Sequence, residues 1–263
     1  MPSHSLTADA PQAAAPAAFV PPRSPGRWRR LRRLIGAFLR DPGQFNRRMP
    51  RRLCPICRYQ GIFVAVGRPP RWDARCLGCG SRERHRLTHL WITEGGGNKL
   101  AGKRILHFAP EKITMRQMQG NALYETADLH QPGVTHKVDI TRVSLPDASY
   151  DVVMAHHVLE HIDGDRQAMR ELFRLLKPGG FGIFSVPINT SRQETYENPA
   201  VTDPADRVAH FSAPDHKRYY GLDFTDRLES VGFTTEIFRM PPDQEVRFGL
   251  LRDEWITIAR KPG

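Results

Sequence analysis

The stretch that decides the fold of this chain is YDVVMAHHVLEHIDGDRQAMRELFRLLKPGGFGIFSVPI, residues 150–188. Its apolar run 152–155 has no polar alternation, which is typical of a parallel strand covered on both faces. Asp163 is the predicted N-cap of a helix whose apolar residues recur every three to four positions, as one buried face requires. A Lys-Pro-Gly-Gly turn ends this helix, and 181–187 forms a second apolar strand. This strand–helix–strand unit predicts a crossover within a parallel sheet.

The sequence on both sides continues the alternation of strands and helices. The predicted elements are strands over 103–108, 123–127, 138–141, 233–238 and 254–260 and helices over 112–119 and 223–231. Such an alternation predicts an α/β fold with a doubly wound, Rossmann-like sheet. The last strand is expected to be antiparallel to its neighbours.

The formal net charge of +11 is concentrated near the N-terminal end. Residues 1–53 hold eleven arginines, no lysine and two aspartates, so they carry +9 and the other 210 residues carry only +2. The overall charge therefore says little about the ligand of the later domain. No segment has the ~20 apolar residues of a membrane span, and residues 1–22 lack the pattern of a secretory signal. We expect a cytoplasmic protein.

The basic region divides into a tail and a helix. Residues 1–26 are rich in Ala, Pro and Ser, and we expect them to be disordered. Residues 27–40 (RWRRLRRLIGAFLR) place apolar side chains on one helical face and arginines on the other. This pattern is typical of a helix on an anionic membrane or on RNA, and equally of a helix packed on its own domain with a solvated basic face. We assign the helix and a linker to 27–50.

The cysteines occur as two C-x-x-C pairs separated by eighteen residues: Cys54, Cys57, Cys76 and Cys79. Four thiolates on two tight turns suit tetrahedral Zn²⁺, so the spacing favours a closed structural zinc site in a reducing compartment over disulfides. We assign 51–97 to a zinc-ribbon-like module with a connecting helix, and 98–263 to the α/β domain.

Acidic residues follow two predicted strands at positions suited to a nucleoside. Asp128 lies twenty residues beyond Phe108, where such folds place the carboxylate that accepts from both ribose hydroxyls. Asp139 follows the next strand and could accept from an adenine amino group, with Ile140 packed on the ring. The two acids together favour a ligand site over simple turn capping.

The order of these elements, with His157-Val-Leu-Glu-His161 and Lys177-Pro-Gly-Gly180, resembles the class I S-adenosylmethionine-dependent methyltransferases, notably the type 11 group, over about residues 100–260. It is also similar to a bacterial subset with a zinc-ribbon N-terminus, which carries HFAPE (here 107–111) and a later block (here 196–221). The resemblance implies a seven-stranded methyltransferase sheet, preceded by the small zinc module and the basic tail and helix.

The resemblance also implies a cofactor, S-adenosylmethionine, and its contacts. The predicted cofactor-binding residues are Phe108, Ala109, Glu111, Asp128, Leu129, Asp139, Ile140, His156 and His157. One departure is the absence of glycine from the loop after the first strand, where most class I enzymes have a Gly-rich turn. A pyrophosphate needs that close turn, so a nicotinamide dinucleotide is disfavoured, whereas S-adenosylmethionine carries no phosphate. Its cationic groups suit Glu111 or the 159–161 loop.

The polar segment 189–221 is long for a connector, and we interpret it as an acceptor-binding lid rather than a surface excursion held by ion pairs. Histidine is suited to take a proton from an acceptor hydroxyl. The candidate catalytic residues are His161, His157, His210 and His216, with His156 also near the cofactor; each could instead hold the cofactor or a loop.

We therefore predict a methyltransferase that acts on a small molecule or on a glycan or lipid-linked precursor. One alternative is an rRNA or tRNA methyltransferase that binds RNA through the zinc module and the basic N-terminus. Another is a non-catalytic zinc-containing binding protein with a degenerate cofactor site. The expected partners are the acceptor, RNA in the first alternative, and an anionic membrane contacted peripherally by 27–40.

Overall fold

The computed structural model describes residues 26–40, 42–43, 51–67 and 70–263. The predicted disordered tail, apart from its last residue, and most of the predicted linker after residue 40 lie outside the described residues. Among the described residues, no helix is both long and apolar enough to span a membrane.

The N-terminal part consists of one long helix, two small hairpins and a connecting helix. Its elements are α1 (Arg27–Arg40), β1 (Arg52–Leu53), β2 (Gln60–Gly61), β3 (Phe63–Val66), β4 (Arg71–Cys76), α2 (Glu83–Trp91), a π-helical turn (Ile92–Gly96) and α3 (Gly97–Leu100). Strands β1 and β2 pair antiparallel, as do β3 and β4. The cysteine pairs lie on and next to these two hairpins.

The remaining chain forms an α/β domain. Its elements are β5 (Ile105–Phe108), α4 (Lys112–Gln117), β6 (Tyr124–Ala127), β7 (Tyr150–His156), a 3-10 turn (Leu159–His161), α5 (Asp165–Leu175), β8 (Leu176–Ser185), β9 (Tyr196–Glu197), α6 (Pro204–Phe211), β10 (Arg218–Tyr219), α7 (Phe224–Glu229), β11 (Thr234–Phe238), α8 (Pro242–Phe248) and β12 (Ile256–Arg260).

The central sheet has the strand order β11-β12-β8-β7-β5-β6. Strands β8, β7, β5 and β6 are parallel, and β12 runs antiparallel to both β8 and β11. The expected doubly wound, mainly parallel sheet and its antiparallel last strand are therefore present.

The sheet has six strands in the described chain, where seven were predicted. The predicted strand at 138–141 is replaced by isolated bridges, Ala127 with His136 and Asp139 with Arg142. The Asp139 carboxylate accepts hydrogen bonds from the backbone and hydroxyl of Thr141, so the chain turns before a ladder can extend.

The stretch 150–188 forms β7, α5 and β8 in the predicted order, but the predicted turn at 177–180 lies within β8 and the helix starts differently. Gly164 is the residue that precedes the first turn of α5, and Asp163 does not cap it. The Asp163 carboxylate instead pairs with Lys217 Nζ at 2.9 Å. Contact with a distant segment therefore overrides the local capping signal.

Helices cover both faces of the sheet because the side chains of its strands alternate in direction. Val153 and Leu106 face a core that includes the apolar face of α5. Val152 and Met154 face a second core on the opposite side. That second core is covered by α2, α3 and α8, so the helix that follows the cysteine hairpins also packs on the sheet.

Candidate active site

A cavity of about 330 Å³ opens beside the carboxyl ends of β5 and β6. It is lined by seven of the nine residues predicted to bind the cofactor: Phe108, Ala109, Asp128, Leu129, Asp139, Ile140 and His157. Val138, Val158 and Ile162 add apolar surface, and His130 and His161 add imidazoles. Strand ends of a parallel sheet are where such folds bind ligands, so this cavity is the candidate active site.

The two aspartates are held by their own turns. Asp128 Oδ1 accepts from the backbone N–H of His130 at 2.7 Å and of Gln131 at 2.6 Å. Asp139 Oδ1 accepts from the N–H and the hydroxyl of Thr141, both at 2.8 Å. In each carboxylate, Oδ1 is held by the hydrogen bonds of the turn. The direction of Oδ2 is therefore also determined.

The loop after β5, which contains no glycine, has alanine at the position where the backbone adopts a left-handed conformation. Ala109 has φ 47°, in the left-handed region, and its N–H donates to the Ala127 carbonyl at 2.9 Å. His157, on the opposite wall, has φ 55°. Non-glycine residues in this region cost about 1–2 kcal/mol each and gather at functional sites. Both strained residues line the cavity.

Glu111 and His156, the other two predicted cofactor residues, lie elsewhere. Glu111 accepts from Arg84 Nε at 2.9 Å and pairs with His85 Nε2 at 2.7 Å. Burial alone would raise the pKa of Glu111, but His85 and Arg84 outweigh it and hold the pKa well below its ordinary range. Its carboxylate is therefore engaged by α2 rather than exposed in the cavity.

His156 lies in the core, at the end of β7. Its Nδ1 is 2.9 Å from Ser185 Oγ, and its ring packs edge-on against His107 with centroids 5.9 Å apart. Burial holds the pKa of His156 well below its ordinary value and lowers that of His107 to about 4. Both imidazoles are neutral core groups.

His157 lies between two carboxylates. Its Nδ1 is 3.3 Å from Glu160 Oε1, and its Nε2 is 3.8 Å from Glu254 Oε1. Burial lowers the pKa of His157, but these two acids outweigh it and raise the pKa to about 9. Burial would raise the pKa of Glu160, and the neighbouring His157 and His161 hold it below its ordinary value. His157 is thus cationic at neutral pH and ill suited to accept a proton.

Of the remaining candidate histidines, His161 and His216 are in contact with each other, whereas His210 lies apart from them. The rings of His161 and His216 meet edge-to-face with centroids 4.8 Å apart. His161 Nδ1 lies 3.2 Å from Asp215 Oδ2, and His161 lines the cavity. His210 is exposed on α6, where its Nδ1 contacts the Tyr196 hydroxyl at 2.7 Å.

The predicted lid is anchored to the loop that follows β7. Lys217 N–H donates to the Glu160 carbonyl at 2.8 Å. The buried Arg218 donates to the carbonyls of Leu159 at 3.0 Å and Asp163 at 2.8 Å. Asp165 accepts from the Tyr220 hydroxyl at 2.9 Å. The segment is therefore packed over the 3-10 turn next to the cavity, and ion pairs and hydrogen bonds hold it there.

The four cysteine sulfurs form a compact cluster, with all of them within 4.8 Å of one another. The Cys54–Cys79 and Cys57–Cys76 sulfur distances are both 3.7 Å. A disulfide would require about 2.05 Å, whereas Zn–S bonds of about 2.3 Å place tetrahedral ligands about 3.8 Å apart. Gly78 N–H donates to Cys76 Sγ at 3.2 Å, as expected for a thiolate knuckle. The donor set and its spacing fit Zn²⁺.

Three acidic residues of this region were not among the predicted site residues, although the 159–161 loop, which contains Glu160, was considered for the cationic groups of the cofactor. Glu160 was visible inside the His-Val-Leu-Glu-His motif, where an acid between two histidines was the available signal. Glu254 reaches His157 from the segment that precedes β12, and Asp215 reaches His161 from the 189–221 segment. Neither has a local sequence signal, because each contact joins distant segments.

A family model described as a methyltransferase domain matches residues 106–184. A probable S-adenosylmethionine-dependent methyltransferase of Mycolicibacterium smegmatis is 31% identical over 154 residues, 58% of this chain and 55% of that protein. A ubiquinone/menaquinone biosynthesis C-methyltransferase of Vibrio parahaemolyticus is 25% identical over 57% of this chain and 49% of its own length. The chain thus spans about half the length of these curated relatives.

Solved methyltransferase structures also align with this chain. A Burkholderia thailandensis 1,6-didemethyltoxoflavin-N1-methyltransferase with bound S-adenosylhomocysteine aligns at 16% identity and a TM-score of 0.46, over 67% of this chain and 77% of that one. The family and sequence matches support an S-adenosylmethionine-dependent methyltransferase domain in this chain, and they do not specify its acceptor.

Proposed function

We propose that this protein transfers a methyl group from S-adenosylmethionine to a small molecule or to a glycan or lipid-linked precursor. The observation that carries the proposal is the cavity between Asp128, Asp139 and the 157–162 loop, within the part of the chain that the methyltransferase family matches. S-adenosylmethionine would supply the activated methyl group; the roles that follow are those of the chain's own residues.

The cavity residues fit the cofactor by their chemistry. Asp128 offers a carboxylate oxygen to the two ribose hydroxyls, and Asp139 offers one to the adenine amino group. Ile140 and Val138 provide apolar surface for the ring. Glycine is not required, because Ala109 already adopts the left-handed conformation. No pyrophosphate has to approach this loop.

The charges at the mouth favour a small acceptor over RNA. The exposed carboxylates Asp163 and Asp215 belong to the loop and the lid, and their side chains are 84% and 69% exposed. Asp163 is paired with Lys217 and Asp215 contacts His161, so these residues present no excess of positive charge to a phosphate backbone. An acceptor that carries hydroxyl or amine groups needs no such charge and can use His161 as a polar contact.

Calorimetry with S-adenosylhomocysteine tests the cofactor site. Asp128→Asn keeps the oxygen that holds the turn but loses the charged acceptor, and hydrogen bonds to charged groups contribute about 1.5–3 kcal/mol. We expect binding to weaken about 10- to 100-fold. Asp203→Asn is the matched control, because Asp203 only caps α6. No heat at millimolar ligand for the native sequence would refute the enzyme proposal and leave the binding-protein alternative.

An acceptor screen with methyl-labelled cofactor tests the substrate class. Transfer to glycans, lipid-linked precursors or small metabolites would support the proposal. Salt-dependent methylation of rRNA or tRNA, lost on deletion of residues 1–53, would replace it with the RNA alternative.

The cysteine cluster is proposed to hold one structural Zn²⁺. Four mutually close sulfurs leave no open coordination position, which is the arrangement of structural sites. We expect one zinc per chain in the purified protein by elemental analysis. Replacement of Cys57 and Cys79 by serine should remove it and lower the thermal midpoint, whereas retention of the metal in this variant would refute the assignment.

Helix α1 is proposed to contact an anionic membrane. One side packs on the cysteine module: Ala37 is buried, and Arg33 Nη1 donates to the Gly78 carbonyl at 2.9 Å. The other side presents Trp28 at 79% exposure and Leu39 at 75%, among arginines. An exposed apolar stripe with basic flanks suits an anionic lipid surface.

Vesicle sedimentation tests this contact. The protein should sediment with phosphatidylglycerol vesicles and remain in solution with phosphatidylcholine vesicles. Trp28→Ser with Leu39→Ser should abolish sedimentation, and Trp72→Ser, at a site 40% exposed on β4, should not. Retention by RNA in place of vesicles would assign the helix to the RNA alternative.

A further inference from the structure

We propose that Glu160, His161 and His216 form a second metal site, which binds one divalent cation of the Zn²⁺ class at the rim of the cavity. Their ligand atoms all lie within 4.8 Å of one another. This cluster is separate from the four cysteines and uses two imidazoles and one carboxylate. The proposal goes beyond methyl transfer and does not depend on it.

The buried carboxylate is the first reason. The Glu160 side chain is 1% exposed; its Oε1 is paired with His157, and its Oε2 accepts no hydrogen bond from any described residue. A buried carboxylate oxygen that lacks a partner is costly unless it coordinates a metal. His157 Nδ1 faces only Oε1, at 3.3 Å. The carboxylate therefore retains coordination capacity toward His161 and His216.

The orientation of the two histidines is the second reason. His216 Nδ1 lies 2.9 Å from the Phe211 carbonyl, which can only accept, so Nδ1 carries the proton and Nε2 keeps its lone pair. His161 Nδ1 lies 3.2 Å from the Asp215 carboxylate, which leaves Nε2, 3.9 Å from Glu160 Oε1, as the ligand atom. Metal-bound histidines are held in this way, with the second ring nitrogen donating to a carbonyl or carboxylate.

The ligand set selects the class of cation. Two imidazoles and one carboxylate suit Zn²⁺ and similar transition metals, whereas Mg²⁺ and Ca²⁺ prefer oxygen ligands. Metal–ligand bonds of about 2.1 Å place tetrahedral ligands about 3.4 Å apart. The 3.9 Å separation between Glu160 and His161 needs only a small closure of the side chains.

The position of the cluster, at the rim of the cavity, indicates how a bound cation could act on an acceptor. His161 lines the cavity, and His216 belongs to the lid. A cation held by three protein ligands keeps an open position, as catalytic zinc sites do. An acceptor oxygen bound there would lose its proton more readily. The site therefore favours an acceptor with a hydroxyl or enol oxygen.

Zinc stoichiometry in the full-length protein tests the proposal. After incubation with excess Zn²⁺ and gel filtration, elemental analysis should find one more equivalent in the native sequence than in His161→Ala or His216→Ala. His210→Ala, which removes an exposed lid histidine outside the cluster, should retain the native count. Asp215→Asn should keep the site but weaken it about 10- to 100-fold in competition with a chromophoric chelator.

Further measurements on the alanine variants distinguish loss of the metal site from loss of the fold. Unchanged circular dichroism and unchanged S-adenosylhomocysteine affinity in His216→Ala, whose residue does not line the cavity, would show that only the metal site is gone. Equal zinc counts in the native, His161→Ala and His216→Ala proteins would overturn the proposal, and the cluster would then be a hydrogen-bonded support of the lid. That result would leave the methyltransferase proposal intact, because cofactor binding is measured separately.

Discussion

Arg86 is expected to be a main determinant of stability at the junction between the cysteine hairpins and the α/β domain. Its side chain is fully buried on α2. The guanidinium donates to backbone carbonyls on both sides of that junction. Ala74 at 3.1 Å and Ser81 at 2.8 Å belong to the hairpins, and Phe248 at 2.8 Å and Gly249 belong to the end of α8.

The effect of Arg86→Met follows from these contacts. Methionine keeps the apolar stem but removes every donor, so five backbone carbonyls, including that of Asp73, lose a charged hydrogen bond. Hydrogen bonds to a charged group contribute about 1.5–3 kcal/mol each, and the buried guanidinium's own desolvation cost offsets part of their sum, so we expect a net loss of about 3–5 kcal/mol. For a chain of this size, each kcal/mol shifts the thermal midpoint by about 2–4 °C. The midpoint should therefore fall by about 6–20 °C.

Thermal unfolding followed by circular dichroism measures this change, with Arg252→Met as the control. Arg252 has a side chain that is 85% exposed, and its replacement should change stability by no more than about 0.5 kcal/mol. If Arg86→Met lowers the midpoint no more than Arg252→Met does, then water satisfies the carbonyls equally well. The buried guanidinium would then not be what joins the two parts.

Three further predictions concern other parts of the domain. Ala109→Gly should raise the free energy of unfolding by up to about 1 kcal/mol in urea titrations, because glycine adopts φ 47° without strain; a loss of stability would contradict the left-handed assignment. Burial would raise the pKa of Glu125, but Arg104, His136 and Tyr150 outweigh it and lower the pKa to about 2 from an ordinary 4.5. The stability deficit of Glu125→Gln should thus be full at neutral pH and vanish as the pH falls from about 4.5 toward 2; a deficit that does not depend on pH would exclude the ionised carboxylate as its source. Asp165→Asn removes the buried acceptor shared by Tyr220 and Arg227 and should make 189–221 markedly more sensitive to limited proteolysis, with the exposed Asp226→Asn unchanged.

Local pattern predicted the parts of the fold whose causes are local. The apolar run of β7 and the spaced apolar face of α5 lie within one stretch, and both were found where periodicity placed them. The predicted turn at 177–180 lies instead inside β8, where the pairing with β7 shifts register. The cysteine pairs came together because each C-x-x-C knuckle is itself a local structure. Asp128 lines the cavity because it follows the parallel strand β6, whereas Asp139 reaches the same cavity from the turn that stands in place of the predicted third strand.

The errors arose where a distant partner competes for a side chain. Asp163 had every local feature of an N-cap, but Lys217 engages its carboxylate. Glu111 follows the first strand of the domain, where a cofactor-facing acid was plausible, but Arg84 and His85 bind it from α2. Periodicity contains no information on such pairs, because they depend on how the elements pack.

Several of the long-range contacts that the sequence did not predict are made by residues of helix α2. Leu87, Leu90 and Trp91 cover one face of the sheet, while Arg86 joins the hairpins to α8. From the same helix, Arg84 and His85 hold Glu111, two residues beyond the strained Ala109 that lines the cavity. One helix therefore contacts both the cysteine hairpins and the residue that follows the cavity loop. The cysteine module is in this way connected, through α2, to the loop at 108–111 that lines the cavity.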